Sequence, residues 1–274
     1  MTREVEWGRL TAPTIREMAG DASTVILLPV GSLEQHGPHL PTLTDTVSAH
    51  ATAVAAARLL DGAPPALVLP GMWTGMSEHH LPFGGTISLS FDEFRGVLRG
   101  VARSLRAVGF GRLMIVNGHG GNIDPLAVAC RELAVEFGFP IVATTPWFLA
   151  AEGVAKIMES DSGPKHACEG ETSLMMAIAP DIVRAENLDE AMRQRPEPRT
   201  LPKGVTRFQS FSERAPVTGT WGDPRSSTPE KGQRFLAAKA QALADAIRDP
   251  RLWTTPDCVW APGRGQGTTA GSAT

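Results

Sequence analysis

Two short apolar, β-branched runs, residues 24–30 and 112–116, are each followed at once by a loop of carboxylate, imidazole and glycine residues. Such runs read as buried strands, and in an open α/β sheet the crevice beyond the carboxyl ends of the strands is where ligands bind. Glu34, Gln35 and His36, with Asp45 beyond them, follow the first run; Asn117-Gly118-His119-Gly120-Gly121-Asn122 follows the second. A third segment, His166-Ala167-Cys168-Glu169-Gly170-Glu171, carries the same residue types. Together the three point to hydrolysis at a pair of metal ions.

The 274 residues, 42% of them hydrophobic, suffice for one sizeable α/β core. Residues 1–262 are expected to form a single domain, and 263–274 a disordered tail. With 26 basic against 29 acidic residues the net charge is −3. That balance gives no long-range pull on nucleic acid or an anionic membrane, so a small molecule or short peptide is the expected partner. Cys130, Cys168 and Cys258 are odd in number and far apart, which supports neither a disulfide framework nor a zinc knuckle. That cysteine pattern fits a reducing cytoplasm best, and with no run of about 18 apolar residues and no secretory h-region at the N-terminus a soluble protein is expected.

Strand-like stretches at 24–30, 66–70, 112–116 and 140–145 alternate with helix-favouring ones at 46–60, 91–108 and 124–137. Gly109 closes the second helix, and Asp124-Pro125 reads as an N-cap followed by a first-turn proline. This alternation implies parallel βαβ crossovers, hence an α/β fold in which a mostly parallel sheet lies inside a three-layer α/β/α sandwich. A short helix over 171–179 should carry Glu171 in its first turn, and another should cover 229–248. Between them, 194–228 reads as irregular structure or an arm.

Each motif has a plainer alternative. Glu34 and His36 are two apart, so in extended chain they project to the same side, where they can face adjacent metals or simply form a surface pair. Asp45 precedes a helix and suits an N-cap equally well. The glycines around His119 allow close backbone approach, but the lysine and hydroxyl of a phosphate loop are missing. The Gly120 and Gly121 amides are placed to meet a developing oxyanion. Among His166, Glu169 and Glu171, spacing does not separate ligand from acid–base group. His50 reads as packing or surface, and His79-His80 as pocket lining or surface.

The order V-G-S-x-E-Q-H-G-P-H-L-P with a following Asp, then N-G-H-G-G-N, then H-A-x-x-x-E-T-S, resembles the creatininase (creatinine amidohydrolase) family over residues 25–180. Residues 77–90 look like that family's substrate loop, which adds Ser77 to Gly120 and Gly121 as substrate contacts. The resemblance implies a creatininase-like sandwich, two divalent ions per chain (Zn, Mn or Fe) and a homohexamer. It makes Glu34, His36, Asp45 and His119 metal ligands, with Asp45 bridging. Creatinine hydrolases proper have H-Y-E-N where this chain has His119-Gly120-Gly121-Asn122. The missing carboxylate leaves Glu171 as the fifth ligand, Glu169 being the other candidate. The missing Tyr, and the absence of a Trp just before His166, argue against creatinine itself as substrate.

The implied reaction is attack of metal-activated water on an amide, cyclic amide or formamide C–N bond, with His166 as the catalytic proton donor to the leaving nitrogen. A peptidase acting on a short or modified peptide is the near alternative. A metal-stabilised binding protein is the distant one, and a serine hydrolase lacks its G-x-S-x-G elbow.

Overall fold

The computed structural model describes residues 4–161, 163–193, 201–202 and 204–255. Strands β1 (Val25–Val30), β2 (Ala66–Val68), β3 (Leu113–Asn117) and β4 (Ile141–Thr144) form one parallel sheet in the order β2-β1-β3-β4. Helices α1 (Ala12–Ala19), α2 (Thr44–Leu59), α3 (Phe91–Val108), α4 (Ile123–Phe137), α7 (Glu169–Ile178) and α9 (Pro229–Arg248) surround it, with short turns α5 (Pro146–Leu149), α6 (Ala151–Ala155) and α8 (Leu188–Ala191) between them.

Period-two alternation along β1 explains the layering. Ile26, Leu28 and Val30 pack with Ile15, Phe94, Leu98, Leu126 and Leu133 of α1, α3 and α4. Val25 and Leu27 point the other way, onto Ala53 and Ala57 of α2 and Leu243 and Ile247 of α9. The sheet is thus buried on both faces, as a parallel sheet requires, in the expected α/β/α sandwich. No described helix is long and apolar enough to cross a membrane.

The helix at 91–108 has the expected bounds; Ser90 and Glu93 form a capping box and Gly109 closes it at φ 111. The helix at 229–248 also has the expected bounds. Two caps differ. Asp45 lies inside the first turn of α2, whose N-cap is Leu43, so the capping alternative fails. Helix α4 starts at Ile123 after a 3₁₀ turn over Gly120–Asn122, so Asp124 sits within its first turn instead of capping it. Helix α7 begins two residues earlier than expected, still with Glu171 in its first turn. The sequence reading did not anticipate α1. The expected disordered tail lies outside the described residues.

Strand order reverses between β1 and β3, and the first turn of α2 is driven into that switch point. A Cβ added at Gly31 would strike the backbone of Thr46, and one at Gly118 would strike the Asp45 carbonyl. Glycine at both strand ends is therefore what lets Asp45 approach. Gly118→Ala should cost about 1–3 kcal/mol of stability by overpacking, read as a lower midpoint in denaturant unfolding. Unchanged stability would show that α2 yields easily there.

Candidate metal centre

The six-residue run Asn117–Asn122 is mostly scaffold around one imidazole. Asn117 donates from Nδ2 to the His119 carbonyl at 2.7 Å and accepts the His119 amide at 3.1 Å, which fixes the turn. Asn122 ties β1 to the loop before α3, donating to the Gly31 carbonyl at 3.0 Å and accepting the Met76 amide at 2.9 Å. His119 is thereby held over the switch point, where Glu34 and His36 arrive from β1 and Asp45 from α2.

The four side chains converge. His119 Nδ1 lies 3.0 Å from Glu34 Oε2 and 3.1 Å from Asp45 Oδ2. His36 Nε2 lies 3.1 Å from Asp45 Oδ1 and 3.8 Å from Glu171 Oε2. The two oxygens of Asp45 therefore face two different imidazoles. Among the described residues three donor sets result, of which two share Asp45: Glu34 with Asp45 and His119, and His36 with Asp45 and Glu171; the third is Glu34 with His36 and His166, and within each all donor atoms lie within 4.8 Å of one another.

Backbone carbonyls select the free nitrogen of each ring. His36 Nδ1 sits 3.1 Å from the Glu34 carbonyl, and His119 Nε2 sits 3.1 Å from that of Met76. A proton on each of those nitrogens leaves His36 Nε2 and His119 Nδ1 with lone pairs aimed inward, the arrangement of metal-bound imidazoles. Glu34 Oε1 and Asp45 Oδ2 are buried with no hydrogen-bond partner. Asp45 Oδ2, orphaned and facing the bare Nδ1 of His119, fits a cation better than it fits the ring.

The electrostatics agree. Burial resists ionisation of Glu34, yet the charge of His119 and its hydrogen bond hold the carboxyl well below the usual carboxylate range. Burial also opposes charge on His36 and His119, but the carboxylates win, raising His36 to about 10 and His119 well above its ordinary value. Burial pushes Glu171 up to about 7 against the pull of His36. Without cations, this pocket recruits protons onto its imidazoles to offset the carboxylates.

The two candidate glutamates of α7 part company. Glu171 reaches the cluster and is steadied by the Ala167 amide, 2.6 Å from Oε2, with Ala167 in the left-handed region at φ 54. Glu169 is committed elsewhere, to Lys231 Nζ at 2.6 Å and to the amides of Glu159 and Ser160 at 2.9 Å. A carboxylate two positions beyond His119 has no room, because a Cβ at Gly121 would lie 2.7 Å from both His79 Cε1 and the Met76 carbonyl.

His166 lines the same cleft. Its Nε2 is 2.8 Å from the Gln35 carbonyl, and its Nδ1 is 3.5 Å from Glu34 Oε1. Burial, followed by the charge of His36, pushes its pKa well down, which favours the neutral ring. Gly120 and Gly121 line the cleft. Ser77 does not: it is fully buried, bonded to Ser32 Oγ, and stands behind His119 at 3.2 Å from Nε2. That placement corrects its reading as a substrate contact.

Further neighbours complete the cleft, His80 among them as the pocket-lining residue that the sequence offered as one alternative. His80 is buried with Nε2 3.3 Å from Glu34 Oε1, so the surface alternative fails for it. Gln35 Nε2 lies 2.8 Å from His80 Nδ1 and donates to the Gly219 carbonyl at 3.1 Å. From the irregular stretch before α9, Phe211 stacks on His80 at 4.3 Å and meets His166 edge-on at 4.7 Å. The described part of that stretch thus lines the cleft instead of projecting as an arm; 194–200 lie outside the described residues. Trp147, after β4, supplies another aromatic wall. No local pattern links 147 or 211 to the motifs.

Buried imidazoles and carboxylates in two sets sharing one aspartate, at the switch point of a parallel sheet, define a metal-dependent hydrolase. The profile of the creatininase family, described as creatinine amidohydrolase, matches residues 8–247, and the chain belongs to that family. Relatives include the mycofactocin precursor peptide peptidase of Mycobacterium ulcerans (strain Agy99), 34% identical over 234 residues, 84% of this chain and 85% of that protein. The creatinine amidohydrolase of Pseudomonas putida is 30% identical over 267 residues, 91% of this chain and 98% of that one. A solved structure described as Creatininase Mn superimposes with a TM-score of 0.74 at 28% identity, covering 90% of this chain and 98% of its own.

Proposed function

We propose that this protein is a dinuclear metal-dependent amidohydrolase that cleaves the C–N bond of a small amide or short peptide. The observation that carries this reading is the geometry of Asp45, whose two oxygens each face a separate imidazole at 3.1 Å. Glu34, Asp45 and His119 would hold one divalent ion, and His36, Asp45 and Glu171 the other, with Asp45 bridging. Mixed oxygen and nitrogen donors suit manganese, zinc or iron(II). Ions held there supply Lewis acidity and lower the pKa of water to about 7.

The chain's own groups handle the proton and the geometry. His166, neutral and oriented through Nε2 by the Gln35 carbonyl, takes the proton of the attacking water on Nδ1 and returns it to the leaving nitrogen. The expectation from sequence had His166 only as donor; a neutral ring must first act as base. Amides of Gly120 and Gly121 face the oxyanion as it develops. Phe211 shields the ring from bulk water. Water plus amide thus becomes carboxylate plus amine.

The test is a panel of amides and short peptides offered to zinc- or manganese-reconstituted protein, scored for released amine and repeated with a chelator. No amine from any member, or turnover indifferent to chelation, would reject the reading. The cleft, about 440 Å³ and walled by Trp147, Phe148, Phe208 and Phe211, favours something larger than creatinine. Creatinine should therefore be turned over roughly two orders of magnitude less efficiently than the best peptide amide; comparable kcat/KM values would overturn that preference. A homohexamer is the proposed assembly, and light scattering at micromolar concentration that returns a monomer would remove it. A cytoplasmic location completes the proposal, checked by fractionating cells.

A further inference from the structure

Among the described residues three cations line the cleft beside the metal centre: Lys165, Arg207 and Arg214. Two are already neutralised. Lys165 Nζ pairs with Asp161 at 2.5 Å, and Arg207 Nη2 pairs with Glu213 at 2.7 Å. Arg214 differs. Among the described residues no carboxylate pairs with it, and its side chain makes one long hydrogen bond, 3.4 Å to Gln209 Oε1. Its guanidinium lies 5.7 Å from the centroid of the Trp221 ring. Stacking of this kind steadies a guanidinium while leaving its N–H edges open.

The position of Arg214 relative to the chemistry is set by two neighbours. Its amide bonds the Phe211 carbonyl at 2.9 Å, and the Phe211 ring touches His166. The Trp221 amide bonds the His166 carbonyl at 3.1 Å. Arg214 is thus bracketed by two residues that contact the proposed proton carrier, on the wall of the same cleft. An arginine held half-buried and unpaired on an aromatic platform matches the planar, bidentate chemistry of a carboxylate. Its single positive charge balances a single negative one, whereas a phosphate dianion would leave charge unmet.

We propose that Arg214 is a carboxylate-binding subsite, so that the protein's substrates are amides bearing a free carboxylate that anchors on Arg214 while the scissile bond lies at the metal centre. The proposal rests on the amidohydrolase reading for the position of the scissile bond but not for the binding itself.

The probes are benzoylglycylglycine, its C-terminal carboxamide and a phosphate monoester of similar size. Each is titrated calorimetrically into the zinc-loaded full chain, with amine release followed separately. The wild-type protein should bind the acid at least about tenfold more tightly than the carboxamide, the scale of a charge-assisted pair. Arg214→Gln should abolish that preference while keeping its zinc and its melting temperature, and Arg214→Lys should restore part of it. A carboxylate coordinated only by metal would keep its preference in Arg214→Gln, and that result overturns the proposal. So does equal binding, or no binding, of acid and carboxamide, and so does a stronger response to the phosphate monoester. If Arg214 only braces Trp221, its loss will shift the melting temperature and weaken both probes alike. An acid preference without amine release would reject hydrolysis of this probe and leave the subsite standing.

Discussion

Asp45→Ala should purify without either ion and without measurable turnover. Both donor sets share this residue, through Oδ1 on the His36 side and Oδ2 on the His119 side. Losing it leaves each set one carboxylate and one imidazole, too few to hold a divalent ion against water. Turnover should fall by roughly four orders of magnitude or more, the several kcal/mol that metal chemistry contributes to the transition state. Elemental analysis after dialysis is the measurement. Two tightly retained ions in the variant would refute the bridging role while leaving hydrolysis open.

The second large effect separates ligand from proton carrier. Glu171→Gln keeps its volume but loses the charge that faces His36 Nε2 at 3.8 Å, so ion content should drop from two toward one, with activity falling in step. His166→Ala should keep both ions, yet lower kcat by about 10²–10⁴, the usual contribution of a positioned base. The contrast is informative because Glu34, His36 and His166 also present donor atoms within 4.8 Å of one another. If His166→Ala loses metal while Glu171→Gln keeps it, the two assignments exchange places.

The motifs proved legible where chemistry and backbone constraint coincide. Glu34, His36, Asp45, His119 and Glu171 stand out because polar residues at strand ends and helix starts are costly in a buried setting unless something is bound there. Gly118 before His119 and Gly31 after β1 report close approach, and the structure shows of what: the first turn of α2. Long-range partners were another matter. Spacing within His166–Glu171 left Glu169 and Glu171 equivalent, because what separates them is Lys231, 62 residues beyond Glu169 in α9. Ser77 looked available in a Gly/Pro-rich loop, yet the packing of Ser32 and His119 buries it. His80 and Phe211 meet only in the folded chain, and neither carries a periodic or capping signature that a linear reading registers.

The four segments that supply the donors belong to different parts of the architecture: the ends of β1 and β3, the start of α2 and the start of α7. Helix α7 lies off the sheet, against α9, and Glu171 is its link to the donors carried by the sheet side. Ions seated between them, as proposed, would therefore act as a rivet between the central sheet and the outer helical layer. Metal depletion should loosen that seam first, leaving the sheet core intact while the mouth of the cleft loses its shape, so the folded protein and the loaded protein are not the same mechanical object.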